Sequence, residues 1–182
     1  RLAFGLTKPR RQTLGTELAG EIVAVGCDVL RFRTGDRVYA ATGAMFGTHA
    51  QYICLPHEGA MAPMPENASF AEAAALCEGG LTALPFLRDE GKLDSGQRVL
   101  INGAAGAVGN SALQLAKAMG AHVTAVCGPH NIDLMLAQGA DDAIDYHQED
   151  FTRRRETYDI VFDAVGKSSF SLCRSILAPQ GT

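Results

Sequence analysis

The sequence predicts an α/β protein in which a short β-rich segment precedes a parallel, doubly wound sheet. Three observations lead there. Short β-branched and aromatic runs between glycines fill residues 15–56, and strand and helix signals alternate after Gly96. A chain of 182 residues, 47% hydrophobic and 20% charged, can also bury the cores of one large domain or two small ones.

In chain order, "AGEIVAVG" (residues 19–26) and "DRVYAA" (36–41) read as strands, and "HAQYICLP" (49–56) alternates weakly. Gly15, Gly20, Gly26, Gly35, Gly43 and Gly47 punctuate them, a pattern of compact β-barrels or curled sheets. "PHEGAMAPMPENAS" has three prolines and no period, and reads as a loop. Ser69 then opens a helix, with Glu72 placed three residues on for a capping box. The run "FAEAAALCEGGLTALPFLRDEGKL" reads as helix, break at Gly79 and Gly80, and helix, with Pro85 tolerated only in a first turn.

After Gly96, "RVLIN", "HVTAVC", "DAIDY" and "YDIVFDAVG" read as strands. "AVGNSALQLAKAMG", "NIDLMLAQG" and "SSFSLCRSIL" read as helices, the first two closed by Gly120 and Gly139.

A net charge of −4 argues against a nucleic-acid surface, and the run Arg153–Arg155, flanked by Glu149, Asp150 and Glu156, reads as a solvated face. Five scattered cysteines without C-x-x-C spacing read as reduced thiols of a cytoplasmic protein, with no cluster for structural zinc. No apolar run approaches the ~20 residues of a membrane span, and the start carries no signal-peptide pattern. The chain opens at Arg1 and stops at "APQGT", a turn that normally introduces a strand. We therefore expect a fragment with both domains incomplete.

The chemistry concentrates in "VLINGAAGAVGNSALQLAKAMG". Its glycines miss G-x-G-x-x-G by one residue, but from Ala104 the loop reads A-x-G-x-x-G. Asn102 closes the strand, and Ala104, Ala105, Gly106, Ala107, Val108 and Gly109 form the turn into a helix. Ala104 makes the tight turn, Gly106 admits a pyrophosphate, Gly109 lets helix and strand pack closely, and the first amides of the helix face the phosphates. A glycine-bearing strand-to-helix turn without a ligand is the competing reading. At the end of the next strand Cys127, Gly128, Pro129, His130 and Asn131 offer no carboxylate for a ribose 2′-OH. NADPH is therefore preferred over NADH, with His130 as the nearby group able to carry charge.

Five segments, "GTELAGEIVAVGCDVLRFRTGDRV", "AAALCEGGLTAL", "VLINGAAGAVGNSALQLAKAMGA", "GADDAIDY" and "DIVFDAVG", stand in one order. On these the chain is identified as a member of the medium-chain dehydrogenases/reductases. It resembles the zinc-independent quinone oxidoreductases related to zeta-crystallin. The resemblance implies a partial GroES-like β-barrel catalytic domain over residues 1–78 and a partial Rossmann domain, the doubly wound parallel sheet, over 79–182. It implies that Thr82 approaches the phosphate or nicotinamide ribose, and that Tyr146 packs near an adenosine 2′-phosphate. Gly128, His130 and Asn131 fall where relatives carry Ser, Arg or Lys. The stretch from Asp163 through Ala164 and Val165 to Gly166 matches the loop near the nicotinamide.

Zinc-using relatives carry G-H-E where this chain has "GTE", with Thr16 in place of the imidazole ligand; a hydroxyl is a poor zinc ligand. Glu17 and Glu78 are two carboxylates able to face the site, too few for zinc without His or Cys. His49 and His57 have no ligand spacing, His122 and His147 flank strands and read as surface residues, and Ser111 and Ser168 have no nucleophilic triad beside them.

The resemblance implies an NAD(P)H-dependent oxidoreductase that passes hydride to a quinone or α,β-unsaturated carbonyl without catalytic zinc, in a dry cleft between two domains. No catalytic residue is assigned. The expected partners are a small-molecule substrate and, in the full-length protein, a second subunit, but no nucleic acid or membrane. Two alternatives stand: a zinc-dependent alcohol dehydrogenase with an atypical site, and a nucleotide-binding relative without turnover.

Overall fold

The computed structural model describes residues 12–182, and the chain divides after Glu78 into two compact units. In the first, β1 (Glu17–Glu21), β2 (Arg37–Ala41) and β3 (Met61–Pro63) form an antiparallel sheet in that order. Ala19 pairs with Tyr39, and Tyr39 with Ala62. Val38 and Ala40 of β2 point into the core while Arg37 is exposed, the period of two expected of a half-buried strand. The turn into β2 places Gly35 at φ +92°, and the Asp36 carboxylate accepts from the Arg33 amide at 2.8 Å.

Two strand expectations shift. β1 starts at Glu17, and residues 22–26 lie outside it; the Ile22 amide and carbonyl bond instead to Asp36 and Gly35 of the turn. Residues 49–56 hold no strand. The third strand falls in the proline-rich segment read as a loop. Among the described residues β3 pairs only with β2, so Pro63 sits on a sheet edge, where its missing N–H interrupts no ladder.

Helix α1 (Phe70–Ala75) starts with the expected capping box: Glu72 Oε2 accepts from the Ser69 amide at 2.8 Å and the Ser69 hydroxyl from the Glu72 amide at 3.3 Å. The break comes at Leu76, and α2 (Cys77–Pro85) runs through Gly79 and Gly80. Close packing explains Gly79, because a Cβ there would stand 2.4 Å from Ser111 Oγ and 2.7 Å from the Ala107 carbonyl. Pro85 ends α2 and a π-helical turn, Phe86–Glu90, follows.

The second unit is a parallel sheet built from β4 (Arg98–Asn102), β5 (His122–Cys127), β6 (Asp142–Asp145) and β7 (Ile160–Asp163), ordered β6-β5-β4-β7. Helices α3 (Ala107–Ala118), α4 (Ile132–Ala137) and the short α5 (Phe170–Cys173) connect and cover it. One core holds Val99, Ile101, Leu113, Val123, Ala125 and Met135; a second holds Leu100, Val126, Ile144, Tyr158 and Ile176. Alternate residues of β4 and β5 thus enter different cores, as a sheet covered on both faces requires.

Arg154, read as part of a solvated face, is half-buried and clamps Asp142 of β6 and Glu149, the latter at 2.6 Å; Arg153 and Arg155 are exposed. All five cysteines are free, with Cys77, Cys127 and Cys173 buried. Among the described residues no helix is long and apolar enough to cross a membrane.

Candidate dinucleotide-binding site

Strand order reverses at β4, whose neighbours are β5 and β7. In open parallel sheets ligands sit outside the carboxyl ends of the strands at such a point. Here the loops leaving those ends are Gly103–Gly106 after β4 and Ala164–Ser168 after β7.

The tight turn after β4 belongs to Gly103, at φ +80°, while Ala104 stays out of the left-handed region and is fully buried. The working pattern is thus G-x-x-G-x-x-G over Gly103, Gly106 and Gly109, one residue earlier than the sequence reading placed it. The amides of Gly103 and Ala104 donate to the Val126 carbonyl, each at 3.0 Å, and that of Gly106 to the Gly103 carbonyl at 3.0 Å. The Ala104 amide is thus paired within the fold, and the tight turn expected at Ala104 falls at Gly103. The Asn110 amide makes the first bond of the helix, to the Gly106 carbonyl at 2.8 Å. The amides of Ala107, Val108 and Gly109 precede it and lack intrahelical acceptors, and the N-cap Gly106 has no side chain to offer them.

The three glycines differ in what demands them. A Cβ on Gly109 would lie 2.2 Å from the Gly103 carbonyl oxygen, and one on Gly103 2.4 Å from Val165 Cγ2. Gly106, at φ −80°, would meet only the Gly103 oxygen at 3.4 Å, and it is exposed. Gly103 and Gly109 are needed by the fold, whereas Gly106 keeps open a space that the protein leaves unfilled. That cradle fits a diphosphate: it is open, ringed by free amides and at the positive end of α3.

At the end of β5, Gly128 is the N-cap of a 3-10 turn, Pro129–Asn131, that holds His130 and Asn131, and the Tyr146 hydroxyl lies 3.4 Å from the Cβ position of Gly128. Tyr146 is exposed and its ring lies against that of His147, with centroids 4.5 Å apart and planes tilted by 39°. The sequence reading missed Asp145, which stands opposite Cys127 in register on β6. Its carboxylate accepts from the His147 amide and the Gln148 side chain, both at 2.9 Å, and so caps its own turn. Burial, with Asp145 adding to it, pushes the Cys127 thiol up.

After β7, Ala164 donates to the Asn102 carbonyl at 3.0 Å, and Val165 lies against Gly103. Asp163 holds that turn: its carboxylate accepts from Asn102 Nδ2 at 3.0 Å and from the amides of Val165, Gly166 and Ser168 at 3.0, 3.2 and 2.8 Å. Burial raises its pKa, but the bonds from Ser168, Val165, Asn102 and Gly166 outweigh that and hold the carboxyl below its usual range. Thr82 is exposed on α2, three residues after Gly79, whose Cβ position touches Ala107 and Ser111 at the start of α3.

The described residues do not make a zinc site. No group of three His, Cys, Asp or Glu side chains among them is arranged to hold a metal ion. Glu17, read as able to face the site, accepts the Glu78 amide at 2.7 Å, and the Thr16 carbonyl takes the Thr42 amide at 2.7 Å. Within the first unit a pocket of about 420 Å³ lies against Met45, Phe46, Ile53, Cys54 and Leu55.

Comparison with known proteins agrees with this architecture. The family model of the alcohol dehydrogenase GroES-like domain matches residues 3–85, and that of zinc-binding dehydrogenases matches 107–182. A quinone oxidoreductase of Pseudomonas aeruginosa is 38% identical over 92% of this chain and 53% of its own length. A trans-enoyl reductase, pgmF, of Aspergillus terreus is 35% identical over 85% of this chain and 46% of its own. The crystal structure of a Pseudomonas syringae quinone oxidoreductase superposes with a TM-score of 0.80 at 36% identity, covering 92% of this chain and 53% of that one. The chain spans about half the length of the curated relatives it matches. With a GroES-like domain followed by a Rossmann-type parallel sheet, it belongs to the quinone oxidoreductase branch of the medium-chain dehydrogenase/reductase superfamily.

Proposed function

We propose that this chain binds a reduced nicotinamide dinucleotide, NADPH in preference to NADH, as part of an enzyme that reduces a quinone or an α,β-unsaturated carbonyl without catalytic zinc. Gly106 carries the reading: neither its φ nor its surroundings demand glycine, yet it borders free helix amides. The diphosphate would lie on the amides of Ala107, Val108 and Gly109, with Ala105 beside them on the exposed rim. Thr82 would approach from α2, and Ala164, Val165 and Gly166 would wall the nicotinamide side.

Gly128, His130, Asn131 and Tyr146 would take the adenosine end. The one carboxylate in register with the end of β5, Asp145, is engaged by its own turn rather than free to hold a ribose 2′-OH, the contact that would favour NADH. When bound, the reduced nicotinamide supplies a hydride. With Thr16 in the place of an imidazole ligand, the acceptor has to spread developing charge by itself, as conjugated carbonyls and quinones do. The names of the two relatives, a quinone oxidoreductase and a trans-enoyl reductase, fit that class.

The test is loss of NADPH absorbance with a panel of quinones and enones, run beside NADH. Turnover on at least one conjugated acceptor, with a lower KM for NADPH, is expected and should persist after chelator treatment. Absence of turnover across the panel would contradict the reductase reading, and activity restored only by zinc would contradict its zinc independence.

A further inference from the structure

Asp163 lies at the last position of β7, beside Asn102 at the last position of β4. One carboxylate collects four donors, three of them backbone amides within five residues. A carboxylate that accepts several amides fixes the path of its loop, since each would otherwise need another partner. The path it fixes is specific: Gly166 turns at φ +69°, and Val165 comes so close to Gly103 that no Cβ fits between them. Asn102 ties the same carboxylate to the strand that delivers the glycine loop. The two loops leaving β4 and β7 are thereby set against each other, while Val165 stays half-exposed.

We infer that Asp163 is a positioning residue, whose carboxylate sets the Val165–Ser168 turn against Gly103 and so presets the nicotinamide-side wall before the dinucleotide binds. This rests on the dinucleotide reading of the glycine loop. Asp163 donates nothing to the ligand and makes no contact with it; its effect passes through the turn. Asp163→Asn keeps the size but replaces one acceptor oxygen with a donor, which faces either the Ser168 amide or the Val165 and Gly166 amides.

The experiment combines binding and amide exchange on the intact chain. In the wild type without ligand, the amides of Val165, Gly166 and Ser168 are expected to be protected from exchange; free exchange there until NADPH is added would overturn the proposal. In Asp163→Asn, folding being checked by melting, these amides should lose protection. NADPH affinity should fall about tenfold, the scale of one charge-assisted hydrogen bond. Affinity for adenosine 2′,5′-bisphosphate, which lacks the nicotinamide half, should not change. Unchanged NADPH affinity, or parallel loss of both ligands, would overturn it. If the variant does not fold, the wild-type exchange result decides alone. A wild type that binds neither NADPH nor NADH overturns the dinucleotide reading and this inference with it, whereas normal wild-type binding with an indifferent variant overturns only this inference.

Discussion

In residues 79–182 the inner strands β4 and β5 place Val99, Leu100, Ile101, Val123, Ala125 and Val126 fully out of water, whereas in residues 1–78 β1 has no buried residue and β2 has two. A parallel sheet needs cover on both faces and obtains it here from α3 on one and the Tyr158–Ile176 cluster on the other. In the first unit the segment between β1 and β2 leaves large apolar side chains such as Val23 and Leu30 exposed. Loops that must hold a ligand precisely belong on rigid elements, and the glycine cradle stands on the more deeply buried sheet.

The largest effect is expected at Gly109. Gly109→Val would force a side chain into the Gly103 carbonyl and cost about 3 kcal/mol or more, as overpacking does. Urea unfolding should show the loss, and dinucleotide binding should vanish with it. Leu113→Ala, in the fully buried core, should cost about 3 kcal/mol. Val23→Ala, 61% exposed, should stay within about 0.5 kcal/mol. Equal costs for these two would erase the contrast between the units.

Ser69→Ala removes the N-cap of α1 and should cost about 1 kcal/mol, a local effect in the first unit. The smallest effect is pH-dependent and falls in the second unit. Burial raises the Asp141 carboxyl, but Lys117 Nζ at 2.7 Å, the Val123 amide and His122 outweigh it and leave its pKa lowered. A carboxyl depressed in the folded state adds stability above its unfolded pKa and loses it as pH falls through the folded one. Melting of this unit should therefore weaken below about pH 4. Lys117→Met should flatten that dependence; an unchanged acid profile would show the pair to be without effect.

The parallel half of the fold was legible because its signals are local: apolar runs mark β4 and β5, and Gly120 and Gly139 stop α3 and α4. The antiparallel half was less so. β3 is set by pairing with β2, a long-range contact that its prolines conceal, while residues 49–56 alternate without finding a strand partner. Gly79 reads as a helix breaker until Ser111 is seen against it. At the site, the motif hid which glycine makes the turn: Ala104 satisfies the spacing, but only the backbone shows the left-handed φ at Gly103. Asp145 and the four donors to Asp163 were likewise invisible, since register and loop closure create both.

The most direct test follows the backbone amide resonances during titration with NADPH, in the wild type and in Gly106→Val. Shifts concentrated at Ala105, Ala107, Val108 and Gly109 are expected in the wild type. The variant should unfold within about 0.5 kcal/mol of it, since glycine replacement and an altered N-cap nearly offset, yet show no such shifts. Wild-type amides that remain still at those positions, or a variant that binds as the wild type does, would contradict the assignment of this loop as the diphosphate cradle.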